Sequence, residues 1–269
     1  MITYTNRCFS LSLNVLFLFC AQKNSAQSSD HLVNRYIISI QTNACVLPKA
    51  NIKTFEGNYH LRSALQSSFS IGVDYQINFT PSLGFGSGLR LDIIKTNFFL
   101  HIPDSDLPGY FSTGGAPQIE SKEIYPRLVV PIKIVRNFNY NDKGFGDLSA
   151  GINVNYSGFS DDVIITTSIA DSNFQLKQIF YSNFKSDNNK KVWITFNLGT
   201  TKSLFLKNKN LFTVGIFFEW SSTDFIKGEY EITVPNKPLT RGIYKISGSL
   251  LGLSLKYVFT GIDRKLISK

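Results

Sequence analysis

The stretch from Ser68 to Ile93, SFSIGVDYQINFTPSLGFGSGLRLDI, alternates apolar and polar residues almost without error. The alternation stops at Thr80-Pro81-Ser82 and then resumes. Strict alternation predicts a β-strand with one apolar and one polar face, because successive side chains point to opposite sides. The stretch therefore predicts a β-hairpin, and the class of fold depends on which of its two faces meets water.

Alternation of this kind recurs along the chain, and no segment after residue 26 has a sustained apolar pattern at helical spacing. The alternating segments are about 12–16 residues long, whereas strands of soluble proteins usually have about 5–6 residues. Strands that cross a bilayer at a tilt need about 9–11 residues. The eight segments are 33–44, 67–79, 83–96, 124–138, 146–158, 191–204, 211–224 and 246–260.

The connections between these segments alternate in length. Short connections rich in turn-forming residues are found at 80–82, 139–145 and 206–210. The connections between them are long, at 45–66, 97–123, 159–190 and 225–245. Short turns at one end and long loops at the other are typical of an up-and-down membrane barrel. Two alternating stretches in the 159–190 connection, VIITTSIA and FQLKQIFYSNF, predict that the barrel extends above the membrane.

The composition of the two faces indicates which one meets lipid. The polar face is rich in Gly, Ser, Asn and Thr, and only 17% of the whole chain is charged, against about 25% in typical soluble domains. Aromatic residues such as Phe69, Phe79 and Trp220 lie near the ends of the apolar faces, where membrane barrels carry aromatic girdles. We therefore predict an all-β fold: one eight-stranded antiparallel up-and-down transmembrane β-barrel over residues 27–269. The alternative is a soluble, secreted, lipocalin-like barrel with its apolar face inward.

The inward face of the predicted barrel carries charges of both signs. A barrel of eight strands has an interior just wide enough for side chains to fill. Charges buried there must be paired and hydrogen-bonded. We therefore predict an interior polar network; in the alternative interpretation the same charges are hydrated near the barrel ends. The predicted network consists of Arg35, Asp74, Arg90, Asp92, Arg127, Lys133, Glu219 and Lys256.

The first 26 residues have the layout of a secretory signal peptide. Arg7 precedes an apolar run from Cys8 to Cys20, and small residues follow, which predicts cleavage after Ala26. Lipidation of Cys20 is an open alternative. After cleavage Cys45 is the only cysteine, so the chain has neither a pair for an internal disulfide nor a cysteine cluster for a metal.

The formal net charge of +9 does not indicate a nucleic-acid partner, because the basic residues are scattered and the predicted signal peptide implies export. The glycine-rich GFGSG at 84–88 lies in a predicted strand with no helix after it, which excludes a phosphate-binding loop. We predict no cofactor and no nucleic-acid partner.

The long loop after residue 97 contains the one arrangement that suggests catalysis. His101 lies near Asp104 and Asp106, and a histidine with a carboxylate is the minimum for acid–base chemistry. No motif marks a serine or cysteine nucleophile. Asp104 with Asp106, and separately Asp161 with Asp162, could contact a divalent cation, but further spaced carboxylates are missing. We therefore predict no catalytic and no metal-binding residues, with a rim enzyme or ligand-binding barrel as the alternative.

The segment IYPRLVVPIKIVRNFNYNDKGFGDLSAGINVNY, with Pro131 and Lys133 in its VVPIKI core, resembles the PorT-like outer-membrane β-barrel family of Bacteroidetes. The corresponding strand of that family commonly has an aliphatic-Pro-aliphatic-Lys core, and FSIGVDYQINFTPSLGFGSGLRLD resembles its second hairpin. The resemblance covers most of residues 33–260. One departure is that Phe259 is followed by GIDRKLISK, whereas many such barrels end on an aromatic residue.

The resemblance implies a location in the bacterial outer membrane and, for one branch of the family, a part in a secretion apparatus. We therefore expect a structural or interaction component of the cell envelope, with an accessory role in secretion as the more specific expectation. The expected partners are outer-membrane lipid and other envelope or secretion proteins.

Overall fold

The computed structural model describes residues 36–111, 119–139, 145–157, 163–184, 191–206 and 210–259. Within these ranges no helix is long and apolar enough to cross a membrane. The predicted signal peptide, Arg35 and the Asp161-Asp162 pair lie outside the described residues.

Eight strands of the described chain form a closed antiparallel barrel. Each pairs with the next one along the chain within this set, and the last pairs with the first, so the predicted eight-stranded up-and-down barrel is confirmed. The eight strands are β1 (Tyr36–Leu47), β4 (Gln66–Asn78), β5 (Leu83–Leu100), β6 (Ile119–Asn139), β7 (Phe145–Tyr156), β10 (Val192–Leu206), β11 (Asn210–Trp220) and β14 (Leu250–Val258).

The predicted segments agree with these strands except at their ends. The largest differences are that β5 and β6 run further from the short turns, and that β11 ends before residue 224 while β14 begins after residue 246. At that last boundary the backbone N–H of Ser221 donates to the hydroxyl of Ser249 at 2.9 Å. Serine side chains thus take over hydrogen bonds where the barrel ladder stops.

The short turn at Thr80-Pro81-Ser82 is present as predicted. The backbone N–H of Thr80 donates to the carbonyl oxygen of Leu83 at 3.1 Å, and the hydroxyl of Thr80 accepts from the N–H of Leu83 at 3.0 Å. Threonine and serine favour such turns because their hydroxyl groups bond to the local backbone. The other two predicted turns contain residues 140–144 and 207–209, which lie outside the described residues.

The apolar face of every barrel strand points outward. Phe69, Ile71 and Val73 on β4 are about half exposed, whereas Ser70 and Asp74 on the other face of the strand are buried inside. The outward apolar residues begin at Phe69 on β4 and continue to Phe79, directly after the strand. At about 3.3 Å per residue and a tilt of about 40° they form a band roughly 25 Å high. This matches the apolar band of about 25 Å on membrane barrels.

One gap interrupts the barrel wall. Within the described ladder between β5 and β6, Gly88 and Leu89 have no partners; they stand opposite Pro131 and Val130. Proline has no N–H to donate, so the hydrogen bond that would join the strands there is missing. Gly88 also packs closely against β4, because a Cβ on it would clash with the carbonyl oxygen of Val73.

The long connections build a second, five-stranded antiparallel sheet, which we name the cap sheet. The cap sheet consists, in spatial order, of β2 (Asn51–Glu56), β13 (Thr240–Ser247), β12 (Asp224–Ile232), β9 (Leu176–Phe184) and β8 (Val163–Ala170). Strands β8 and β9 form at the two alternating stretches of the 159–190 connection, which were expected to lengthen the barrel. That expectation is wrong in one respect, because they pair with each other and with the cap sheet instead of with barrel strands.

The cap sheet and the adjoining end of the barrel share one hydrophobic core. The ring centroid of Phe98 on β5 lies 4.8 Å from that of Tyr244 on β13. Trp193 on β10 stacks on Phe225 of β12 at 5.6 Å, and Tyr125 on β6 meets Phe225 edge-on at 6.4 Å. A short strand, β3 (Arg62–Ser63), and a 3-10 helix (Asp104–Asp106) complete this end of the molecule.

Two glycine–tyrosine pairs fit the central strands of the cap sheet together. Gly228 lies opposite Tyr244, and Gly242 lies opposite Tyr230. A Cβ on Gly228 would clash with the Tyr244 ring, and one on Gly242 would clash with the Tyr230 ring. Each tyrosine ring therefore lies over the glycine opposite it. The ring covers backbone that the glycine, which has no side chain, would leave exposed.

Candidate functional site

The barrel interior contains most of the predicted polar residues, arranged in two clusters. The upper cluster, nearer the cap sheet, consists of Arg90 and Asp92 on β5, Arg127 on β6 and Glu219 on β11. Both guanidinium groups contact both carboxylates. Two positive and two negative charges therefore balance within one group of contacts.

The geometry of the upper cluster is set by paired hydrogen bonds. Arg90 donates from Nε to Asp92 Oδ1 at 2.7 Å and from Nη2 to Asp92 Oδ2 at 3.1 Å. Arg127 donates from Nε to Asp92 Oδ2 at 2.9 Å and from Nη2 to Glu219 Oε2 at 3.3 Å. Planar guanidinium groups suit this two-pronged recognition of carboxylates.

The upper cluster also spans the lumen. In the ring of eight strands, β11 stands four places from β5, on the opposite wall. Arg90 Nη2 donates across this distance to Glu219 Oε1. Arg127, Asp92 and Glu219 are almost completely buried, so each charge depends on its partners in place of water.

The lower cluster, nearer the short turns, is centred on Asp74 of β4. Its Oδ2 accepts from Lys133 Nζ on β6 and from Lys256 Nζ on β14, each at 2.9 Å. Its Oδ1 accepts from Gln41 Nε2 on β1 at 3.0 Å. The alternation of residues predicts these three charges on the inward face. Gln41 was not predicted as a member of the network, although its inward position follows from the same alternation.

A cavity of about 50 Å³ lies against both clusters. Its wall includes Arg90 and Glu219 from the upper cluster and Lys133 and Lys256 from the lower one, together with neutral side chains such as Asn153. The amide network around it includes a bond from Asn197 Nδ2 to Asn153 Oδ1 at 2.6 Å. These asparagines are functional candidates that the sequence prediction of charged residues missed.

Apolar side chains close the interior on the side of the cap sheet. Trp193 and Val129, which break the alternation by standing on the polar face, are buried inside the barrel. Leu47, Ile94 and Leu250 are buried with Trp193 in the core that continues into the cap sheet. The barrel interior is thus polar in its lower and middle parts and apolar at the top.

The rim residues considered for catalysis are not brought together as one group in the described part of the chain. His101 is exposed, and within the described chain no hydrogen bond or ion pair joins it to a carboxylate. Asp106 accepts from the hydroxyl of Tyr59 at 2.9 Å and pairs with Lys237 Nζ at 2.7 Å. Among the described residues no group of three or more His, Cys, Asp or Glu side chains is placed to hold a metal.

The contacts of Asp106 alter two pKa values outside the barrel. The hydrogen bonds from Lys237 and Tyr59 lower the pKa of Asp106. Burial of Tyr59 and its bond to the Asp106 carboxylate raise the pKa of Tyr59 to about 12. The Asp106 carboxylate thus links the loops that carry Tyr59 and Lys237, which is a structural role.

An exposed apolar tip stands at the turn between β8 and β9. Phe174 is 79% exposed and Leu176 77% exposed, and the Phe174 ring lies 5.3 Å from that of Phe111. Phe174 has a φ of +61°, which is uncommon for a bulky residue. The turn is held by Asp171, whose Oδ1 accepts from the backbone N–H groups of Asn173 and Gln175 at 2.8 and 2.9 Å.

Solved structures similar to this chain include those of three outer-membrane proteins. OprG from Pseudomonas aeruginosa has 13% identity and a TM-score of 0.37, with 84% of this chain and 96% of that chain covered. A major outer membrane protein from Thermus thermophilus has 11% identity and a TM-score of 0.38, with 84% and 100% covered. Neisserial surface protein A has 10% identity and a TM-score of 0.31, with 81% and 96% covered.

All three TM-scores are below 0.5, so the likenesses are too distant to assign a function. No protein-family model matches the chain, and no curated protein matches it. The barrel is established by its own strand pairing. The resemblance to the PorT-like family rests on the sequence motifs.

Proposed function

We propose that this chain is a bacterial outer-membrane β-barrel protein that acts as a structural or interaction component of the cell envelope. The observation that carries the proposal is the inverted polarity of the barrel: an apolar band faces outward, and a paired set of buried charges faces inward. Water outside the barrel would leave that band of large apolar side chains exposed, whereas lipid covers it.

Cell fractionation tests the location. We expect the protein in the outer-membrane fraction, extracted by detergent and with heat-modifiable migration on a gel. N-terminal sequencing of the purified protein tests the proposed signal peptide, and cleavage after Ala26 is the expected result. Recovery from the soluble periplasm without detergent would refute the membrane location.

The proposed role does not include passage of solutes through the barrel. The charges of the upper cluster meet across the lumen, and apolar side chains fill its upper end. We therefore expect no channel steps when the purified protein is reconstituted in a planar bilayer. Stable, reproducible conductance would contradict a side-chain-filled interior and would favour a transport function.

The surface beyond the membrane is the proposed site of interaction. A rigid scaffold with elaborated loops commonly carries binding in those loops, and here the long connections form an ordered sheet with the apolar tip at Phe174. We propose binding of another envelope protein and no enzymatic activity, with the accessory role in secretion suggested by the PorT-like resemblance as the more specific proposal.

The role in secretion is tested by genetics in the native bacterium. Deletion of the gene is expected to reduce the amount of exported protein while the outer membrane stays intact, and the natural chain is expected to restore export. The Phe174→Ser variant, inserted in the membrane at normal levels, is expected to restore it less well. Unchanged export after deletion would refute the accessory role and leave the structural one.

A further inference from the structure

We propose that the cavity between the two interior clusters binds a small monovalent anion of about the size of chloride. The cavity of about 50 Å³ is large enough, since a single water molecule needs roughly 10–15 Å³ on the same measure. Its wall brings together three cationic side chains, Arg90, Lys133 and Lys256, and one carboxylate, Glu219.

Glu219, the carboxylate on the cavity wall, already has two partners in the upper cluster. Glu219 accepts hydrogen bonds from Arg90 through Oε1 and from Arg127 through Oε2. It belongs to the balanced upper cluster, so its charge is matched there. The described ion pairs of the two lysines are with Asp74 and not with Glu219.

The lysines have more hydrogen-bond donors than partners. Each ammonium group carries three N–H donors, and each makes one described hydrogen bond to a carboxylate, at the same oxygen of Asp74 and 2.9 Å. Two ammonium groups that share one oxygen are at most about 6 Å apart, a distance at which like charges repel. An anion beside them reduces that repulsion and accepts from the remaining donors.

Asp147, another carboxylate of the barrel, does not pair with the two lysines. Asp147 on β7 accepts from the hydroxyl of Thr201, and among the described ion pairs none joins it to either lysine. Asp147 attracts the two lysines only at longer range, and it is not on the cavity wall. Among the described residues, Asp74 is therefore the one carboxylate that contacts the two lysines, so two positive charges share one negative charge.

An amide completes the donor set. Asn153 is 1% exposed and lines the cavity; its Oδ1 accepts from Asn197, while its Nδ2 has no partner among the described residues. A buried amide N–H without a partner is costly, and an anion accepts from it together with the ammonium groups. Asn43, another wall residue, has an unpartnered Oδ1 within the described chain, which suits a water molecule next to the ion.

Thermal unfolding of the purified full-length barrel in detergent tests the site. The midpoint is measured in sodium chloride, sodium bromide and sodium gluconate at equal ionic strength. We expect the midpoint to rise with halide concentration and to level off, because a ligand that binds only the folded state stabilises it. Gluconate is too large for the cavity and is expected to have no such effect.

Matched variants locate the effect. Lys256→Met is expected to abolish the halide response, whereas Lys202→Met, at an exposed outward lysine, is expected to keep it. Because Lys256→Met could unfold the barrel, Asn153→Asp is the second test. It supplies a carboxylate in the cavity, so the variant is expected to fold and to have a midpoint independent of halide.

Crystals grown in bromide give a direct readout. An anomalous peak bounded by Lys133, Lys256 and Asn153 is the expected result. Equal midpoints in chloride and gluconate together with a cavity that contains no bromide would overturn the proposal. A halide response that persists in Asn153→Asp would overturn it as well, because the effect would then come from another place.

Discussion

The barrel and the cap sheet use the same alternation of apolar and polar residues but bury opposite faces. In the barrel Asp74 is buried and Val73 beside it faces outward. In β12 of the cap sheet Tyr230 is buried and its neighbour Glu229 is exposed. The medium around a strand, and not the pattern of the strand, therefore decides which face becomes the core.

The two regions also differ in the interactions that stabilise them, because the barrel is a closed ring of strands and the cap sheet is open. Eight strands in a ring pair every edge, and the narrow interior is filled by side chains from opposite walls. The cap sheet has open edges at β2 and β8, so it is stabilised through one face, against the top of the barrel. Charge pairing therefore dominates the barrel interior, and apolar packing dominates the cap.

The largest effect is expected from Glu219→Gln in the barrel interior. The change leaves Arg90 and Arg127 with one carboxylate, Asp92, and breaking a buried ion pair costs about 3–5 kcal/mol. The free energy of unfolding, measured by urea titration in lipid vesicles, is expected to fall by that amount. Phe218→Leu, an outward change on the same strand, serves as control; a loss below about 1 kcal/mol in Glu219→Gln would contradict the pairing.

Phe225→Ala tests whether the cap depends on packing. Removing a buried aromatic ring costs about 3–5 kcal/mol, and here the loss falls on the contacts with Trp193 and Tyr125. We expect faster proteolysis of the cap sheet while the barrel keeps its heat-modifiable migration. The same truncation at the exposed Phe174 should leave the cleavage rate unchanged, and simultaneous loss of barrel and cap would show that they do not unfold separately.

An arginine placed on an exposed apolar position of each region tests whether the two surfaces face different media. Val73→Arg puts a charge on the lipid side of β4, where such a change costs about 2–4 kcal/mol near the bilayer midplane. Ile164→Arg puts it on the exposed face of β8 in the cap, where we expect a change below about 0.5 kcal/mol. Equal costs in vesicle unfolding experiments would mean that the two surfaces face the same medium.

Pro131→Ala is expected to strengthen the barrel wall. Alanine restores the N–H that the ladder between β5 and β6 lacks opposite Gly88, and one added hydrogen bond contributes about 0.5–1.5 kcal/mol. Slower hydrogen exchange of neighbouring amides should accompany a higher free energy of unfolding. A lower free energy of unfolding in Pro131→Ala would contradict this expectation. It would mean that the fixed φ of proline stabilises the strand more than the missing N–H donor destabilises it.

The smallest effect concerns the loops beside the cap. The pKa of Tyr59 is raised to about 12, above the ordinary value of about 10. A raised pKa favours the protonated folded state, so this contribution to stability is complete below pH of about 10 and is lost as the pH rises towards about 12. The phenolate absorbance of the natural chain minus that of Tyr59→Phe gives this pKa, and Asp106→Asn should lower it; an unchanged value would exclude the hydrogen bond as a cause.

Most of the barrel was predictable from sequence because each of its strands is long and alternates almost without interruption. The strands of the cap sheet were harder to recognise. In β12 the buried positions include Gly228, and a glycine weakens the apolar signal of a strand even where a tyrosine covers it. The serines around residue 221 end β11, but the alternation continues into β12, so the boundary was not visible.

The interior site was predictable in composition but not in pairing. Alternation assigns Asp74, Arg90 and Glu219 to the inward face. It does not say that Arg90 meets Glu219 across the lumen while Asp74 meets two lysines, because those contacts depend on strand order around the ring and on the register between strands. The neutral residues that line the cavity, such as Asn153, gave no signal beyond their parity.

The order of the amino acids alone predicts that the chain forms long two-faced strands, that short turns alternate with long connections, and that charges of both signs share one face. Local residue preferences and the period of the backbone suffice for these properties. Two further properties depend on the tertiary structure. The charges separate into two clusters with a cavity beside both, and the long connections fold into an apolar cap. Both depend on closure of the ring, which brings together side chains that lie far apart along the chain.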